Sequence, residues 1–386
     1  MELTDEERHR HIAALGTTTA PTRTALASGA ANAAPDLAKD RTPGWRLAGL
    51  IAVLTLALFV VAGLGLSIGS VHIPLTDVWG ITAHRVLPAG TIDQSWSDVA
   101  ARIIADVRLP RVILAAIVGM SLTVVGTIVQ AVMRNPLAGP TILGVSSGAA
   151  TGAVVVMRFG LIVMGVFTLN VSAFIGALLT LVLVLGIAKH GAHISATTLV
   201  LTGMAISAVL SAITSLLVLT SNDPALGSQV LFWTLGGFGA AKWNLLVVPA
   251  CVLIIGTTYA ITQTRNLNLL LIGEEGAVSM GLDVNRFRQV MFVLSAAMVG
   301  VAVAVSGVIG FVGLVMPHIT RLLVGADHRK CLPVGMLLGA IFTIGADLLA
   351  RVVISPEELP VGIITALAGG PFFLYLLRRT SRQPVR

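Results

Sequence analysis

An all-α polytopic membrane fold with ten spans, arranged as an inverted repeat, is what the sequence predicts, and three observations carry the prediction. Charge-free apolar runs recur along the chain, most of them near the roughly 20 residues that a helix needs to cross hydrocarbon. The composition agrees: 55% of the residues are hydrophobic and 11% charged, whereas soluble domains carry about 25% charge. Mean hydropathy is +0.92. Third, Ala115, Ala116, Val118, Gly119, Gly126 and Pro136 recur as Ala296, Ala297, Val299, Gly300, Gly307 and Pro317, each offset by 181 positions. The two stretches are the second and seventh spans, separated by five crossings, so they point in opposite directions, as inverted repeats in transporters do.

Residues 1–45 differ from the rest. They are polar, rich in Ala, Thr and Pro, and lack a continuous apolar stretch, which predicts a disordered cytoplasmic tail rather than a cleaved signal peptide. Glu2 to Leu15 can form a short helix. Residues 46–386 form one membrane domain. Its expected spans are Leu47–Gly69, Val112–Met133, Ile142–Met157, Val171–Ala188, Ala196–Thr220, Leu245–Thr262, Val290–Ile309, Gly310–Thr320, Leu332–Leu349 and Leu359–Leu377. The eighth is short for a crossing, and Val290 to Thr320 can also be read as one kinked helix; Gly307, Gly310 and Gly313 favour a break. Gln229 to Gly239 is apolar but too short to cross, and reads as an interfacial helix ended by Gly236 and Gly237. With the N-terminus inside, inner segments hold 18 Lys and Arg and outer segments 7. Without residues 1–46 the split is still 12 to 7, so both termini are expected in the cytoplasm.

That topology places Arg108, Arg111 and Arg351 at outer ends of spans. Arg108 and Arg111 lie three apart on one face of a helix start, where positive charge opposes the dipole. Headgroup snorkelling and donation to a partner's carboxylates are both open readings. Asp347, four residues before Arg351, is a same-face pairing partner. The scarcity of other acids inside spans argues against a proton-coupled transporter. On the cytoplasmic side, Arg265 to Gln289 carries Leu269, Leu270, Leu271, Ile272, Val278, Met280 and Leu282, more apolar surface than a solvated loop holds, so a partner is expected there. Folding of this loop onto the protein's own inner surface is the alternative. Gly276 and Gly281 would permit a tight turn between two short helices. Ser195, Thr197 and Thr198, before the fifth span, can form a narrow gate; His190 and His193 beside them have no third ligand nearby and read as interfacial. Gly362, Thr365, Gly369 and Gly370 on the tenth span offer a small, weakly polar wall for a pathway.

The basic residues are scattered between spans rather than gathered with aromatics, which excludes nucleic acid as a partner. Cys251 and Cys331 have neither metal-ligand nor disulfide spacing. The sequence contains no GxxxxGK[ST] phosphate loop, so energy must come from elsewhere.

The stretch Arg108 to Gly148 reads RLPR, then a glycine-spaced apolar helix with Gln130, then RNPLAGPTILGVSSG. Together with matches at Trp233–Gly239, Gly273–Gly281, Gly310–Arg321 and Glu358–Gly362, it closely resembles the permease subunit of FecCD-type ABC importers, which take up ferric siderophores, haem and cobalamin. The resemblance runs from about Trp45 to Arg379 and implies a non-enzymatic permease that dimerises, as homodimer or heterodimer, in the inner membrane of a prokaryote. Two cytoplasmic ATPase subunits would bind ATP and Mg; this chain would hold no cofactor. An extracytoplasmic binding protein would dock through Arg108, Arg111 and Arg351. Glu274, Glu275, Gly276, Ala277 and Gly281 would form the coupling helices that enter the ATPase. Ser195, Thr197 and Thr198, with Gly362 and Thr365, would serve the pathway and its gate. His318 and Arg321, in PHITR, match a motif at the inner end of the eighth span. A ferric siderophore is the first cargo expected, haem or cobalamin the second. A stand-alone secondary transporter and a structural scaffold are the rival classes.

Overall fold

The computed structural model describes residues 44–69, 71–86, 94–190, 193–194 and 196–381. The expected tail lies outside them apart from its last two residues, as does Ser195 of the expected gate. Within them the chain is all-α but for a two-residue antiparallel pairing of Lys189–His190 with His193–Ile194. In order, the helices are α1 (Gly44–Ser67), α2 (Leu75–Val86), α3 (Asp98–Val132), α4 (Val145–Phe159), α5 (Thr168–Ala188), α6 (Ala196–Leu219) and α7 (Leu226–Leu235). There follow α8 (Trp243–Thr262), α9 (Thr264–Ile272), α10 (Glu274–Ser279), α11 (Val284–Ser306), α12 (Val312–Val324), α13 (His328–Val352) and α14 (Val361–Ser381).

Among the described residues, seven helices are long and apolar enough to cross a membrane: α1, α3, α5, α6, α8, α11 and α13. The expected third, eighth and tenth spans are helical at their expected places, but their apolar stretches, α4, α12 and Val361–Tyr375 of α14, belong to a shorter class of 10–17 residues. The short helix expected after the fifth span is α7, ended by Gly236 at φ +70°. The break between the seventh and eighth spans is real: Gly307 stops α11 at φ +68°, and Phe311 opens α12 from the left-handed region at φ +66°. The short helix α4 likewise starts from a left-handed residue, Gly144 at φ +70°, a conformation that costs glycine nothing and phenylalanine something.

Helix α3 organises the packing. Its most apolar window is 83% buried, against 11% for α1 and 17% for α6. Where α3 passes α12, a Cβ on Gly126 would collide with the carbonyl of Gly313, and where it passes α13, a Cβ on Gly119 would meet that of Gly339. Only small residues allow backbones this close in a setting where lipid supplies no hydrophobic drive between helices. The packing also repeats when α3 to α6 are exchanged with α11 to α14. Helix α4 packs on α5 and α6 as α12 packs on α13 and α14; α3 packs on α12 and α13 as α11 packs on α4 and α5. This exchange is the internal repeat that the 181-residue offset predicts.

Helix α3 starts 14 residues before the charge-free run at Val112 that marked the second span. Pro110 has no N–H to donate, and the preceding turn widens, so that the Leu109 N–H reaches the Ile104 carbonyl over the π-helical stretch Ile103–Arg108. The widened turn carries Arg108 and Arg111 into the interior.

Candidate functional site

At one end of the helix bundle the three expected docking arginines come together, and their side chains point inward. Arg108 donates from Nη1 to the carbonyls of Leu66 (2.6 Å) and Ser67 (2.8 Å), and from Nη2 to that of Val71. Arg351 donates to the carbonyls of Gly65 (3.0 Å) and Ile68 (3.1 Å). The last carbonyls of a helix have no partner within it and carry its negative dipole end. Both guanidiniums therefore cap the C-terminus of α1, which explains basic residues at the start of a helix whose own dipole they oppose.

Asp347, fully buried at 0% exposure, joins the remaining charges. It accepts from Arg111 Nη2 at 2.8 Å and Nε at 3.0 Å, and pairs with Arg351 Nε at 3.2 Å. The pairing with Arg351 follows the spacing of four read from the sequence; the pairing with Arg111 spans 236 residues and had no local signal. Arg111 Nη1 then reaches Glu358 Oε2 at 2.8 Å, and the Glu358 side chain is about half-exposed. The three arginines are buried and held in a closed network within the chain. Its physical cause is burial: a guanidinium taken from water needs acceptors on every face, and carbonyls and carboxylates of the same chain supply them.

Beside this network a cavity of about 660 Å³ opens, lined among others by Arg111, Asn170, Phe232, Trp233, Lys242 and Glu358. That volume falls within the roughly 300–1,000 Å³ typical of small-molecule sites. On the expected pathway wall, Gly362 sits against the Leu235 carbonyl, where a Cβ would clash. Thr365 is buried and donates to the Gly362 carbonyl at 3.1 Å, so it lines no surface of the single chain. Of the expected gate, Thr197 is exposed and Thr198 half-buried.

The opposite end carries α9 and α10. The turn between them is made by Gly273 at φ +120°, with Gly281 at φ +86° after α10. Gly276, expected at the turn, lies inside α10 with the Ile272 side chain 3.2 Å from where its Cβ would stand. Gly273 takes the turn because only glycine adopts so extended a positive φ without strain. Ala277 is buried and anchors the turn, whereas Glu275 and Gly281 are exposed. Glu274 is held by Arg288 of α11 at 2.8 Å, a partner 14 residues on that no helical spacing reveals. Held in this way, α10 presents Val278 (56% exposed), Met280 (61%) and, from α9, Ile272 (47%). Behind it, Asn268 of α9 donates to Asp327 at 2.7 Å, and Asp327 caps α13 by accepting from the Arg329 N–H at 3.0 Å. Burial alone would raise the Asp327 pKa. The Asn268 and Arg329 hydrogen bonds and the charges of Arg329 and Lys330 outweigh it and hold the acid below its ordinary value. His318 stacks edge-on against Phe372 of α14, ring centroids 6.3 Å apart. Among the described residues no group of His, Cys, Asp and Glu could hold a metal ion.

The model of the FecCD transport family matches residues 54–379. The hemin transport system permease of Yersinia pestis is 40% identical over 332 residues, covering 85% of this chain and 95% of the relative. The cobalamin import system permease of Halobacterium salinarum is 42% identical over 282 residues, 73% of this chain and 74% of the relative. An uncharacterized ABC transporter permease of Bacillus subtilis is 43% identical over 323 residues, 83% and 90% of the two chains. Among solved structures, the inward-facing conformation of a metal-chelate type ABC transporter superposes with a TM-score of 0.74 at 33% identity, covering 86% of this chain and 99% of that one.

Proposed function

The chain belongs to the FecCD transport family and is an ABC importer permease, and on that premise we propose that it carries an iron chelate across a prokaryotic inner membrane. The cargo is a ferric siderophore or haem, with cobalamin the alternative; relatives named for hemin and for cobalamin support a metal chelate of this size class. The observation that carries the mechanism is the α9–α10 pair, a rigid apolar knob pinned to the bundle by Ala277 and the Glu274–Arg288 ion pair. Such a knob suits a groove on a separate ATPase chain, which binds ATP and Mg and whose movement α10 passes to α11. Two ATPase subunits serve two permeases, and the largely unburied face of α6 is where the second permease packs. Residues 46–386 make up the permease domain and residues 1–45 a tail, with both termini cytoplasmic.

A binding protein delivers cargo at the opposite end, above the 660 Å³ cavity. Arg108, Arg111 and Arg351 serve that docking by fixing the rim, where Glu358 and the exposed Lys242 face out. Thr197 and Thr198, with Ser195, gate the far mouth of the pathway.

The test is uptake of radiolabelled ferric siderophore, haem and cobalamin, each supplied separately to cells lacking this chain. Wild type is expected to restore accumulation of one iron chelate, and Glu274→Lys with Glu275→Lys to abolish it at equal membrane abundance. Restoration of cobalamin alone would move the cargo to the alternative. Uptake that persists after removal of the ATPase subunits would overturn the mechanism.

A further inference from the structure

At the α10 end a cavity of about 260 Å³ opens between the last turns of α3 and α12, α9 and the first turn of α13, lined by Gln130, Arg134, Asn135, Leu271, Arg321 and His328 among others. The other guanidiniums described above are paired within the chain: Arg108 with carbonyls, Arg111 and Arg351 with carboxylates, and Arg288 with Glu274, only its Nε left without an acceptor. Arg321 is different. Among the described residues its one hydrogen-bond partner is the Gln130 side-chain oxygen, fixed toward it because Gln130 Nε2 donates to the Leu314 carbonyl at 3.1 Å. Among the described residues no carboxylate pairs with Arg321 or Arg134. On the neighbouring elements Asp327 is engaged by Asn268 and the α13 cap, and Glu274 by Arg288. Two guanidiniums thus face one cavity with unused donors, Arg321 half-buried at the end of a membrane helix and Arg134 exposed beside it.

We infer that this cavity binds a phosphate-bearing anion, chemistry that an anionic phospholipid headgroup and inorganic phosphate share. The planar fork of arginine matches phosphate oxygens, and basic pockets between membrane helices take up anionic headgroups. The flanking surface suits a lipid: Leu322 and Leu323, next to Arg321 on α12, are 63% and 46% exposed and offer apolar contact for an acyl chain. The inference stands apart from the transport reading, because it rests only on the cavity and its unpaired charges.

The experiment is titration of the purified full chain in detergent with phosphatidylglycerol, phosphatidylcholine and inorganic phosphate, read by native mass spectrometry for retained lipid and by the melting temperature. Phosphatidylglycerol is expected to bind in preference to phosphatidylcholine, with affinity lowered about fivefold in Arg134→Gln, the share of one cation near an anionic headgroup. Arg134 is exposed, so this variant folds even if Arg321→Gln does not. Arg286→Gln, an equal charge change at an exposed position outside the cavity, is expected to bind like wild type. Stabilisation by phosphate without lipid assigns the site to the free anion, and no response to phosphate assigns it to the headgroup; both uphold the site. Undiminished phosphatidylglycerol binding by Arg134→Gln, or an equal loss in Arg286→Gln, overturns it.

Discussion

The two ends of the helix bundle treat the same residue type in opposite ways. Around Asp347, three arginines converge on two carboxylates and the C-terminal carbonyls of α1, and their hydrogen-bonding capacity is used within the chain. Around α10, one ion pair fixes a knob whose apolar face stays uncovered, and Arg134 and Arg321 keep donors to spare. The difference teaches that charge at the end of a span marks neither docking nor snorkelling by itself; what decides is whether the chain supplies the acceptors. At the first end the arginines act by holding the rim in place, and at the second the exposed side chains are left for a partner to touch.

The sharpest way to break that division is Asp347→Ala, which leaves Arg111 and Arg351 buried without their shared carboxylate. A loss of about 3–5 kcal/mol is expected, because removing one partner of a buried pair strands the other, and thermal unfolding in detergent would show it. Next comes Gly126→Val. Its added bulk meets the Gly313 backbone, which cannot shift as a side chain could, and overpacking of about 1–3 kcal/mol or more should appear as a lowered melting temperature. Asp327→Ala removes the cap of α13 and should cost about 0.5–2 kcal/mol. Asp327 also has a signed pH dependence. Its folded pKa is depressed, so its contribution is complete above the ordinary value of 3.8 and fades only as pH falls below it. Melting curves at pH 5 and above should therefore give the same wild-type-to-Asp327→Ala difference. Smallest in stability is Glu274→Gln, which keeps an acceptor for the buried Arg288 and removes only a half-exposed charge, about 0–1 kcal/mol, yet transport should fail because the α10 knob loses its ionic anchor on Arg288. A melting temperature near wild type beside absent uptake would show that split.

Much of the fold could be read before the structure, because apolar runs and glycine stops are local signals. The break at Gly307, the short helix ending at Gly236 and the internal repeat all came from such signals. Helix α2 did not, since Leu75–Val86 mixes Asp77, His84 and Arg85 into a short amphipathic stretch with no long apolar run. In the site, the Asp347–Arg351 pair was visible through its spacing of four. The links from Arg111 to Asp347 and from Arg108 to Leu66 were not: they join segments 236 and 42 residues apart, and a backbone carbonyl as acceptor leaves no mark in a sequence. The turn was assigned to Gly276 rather than Gly273 for a related reason, since several glycines lie within a few residues and only the path of the chain selects which one takes positive φ.

Chelate uptake per folded molecule, measured for Asp347→Asn and Val278→Asp beside wild type, tests the division between the two ends most directly. The expected result is a crossed pattern: Asp347→Asn reduces the number of folded molecules while each transports nearly as well as wild type, and Val278→Asp folds normally but does not transport. The opposite pattern, with Val278→Asp fully active and folded Asp347→Asn inactive, would place the working contacts at the arginine end and contradict the reading of α10 as the partner face.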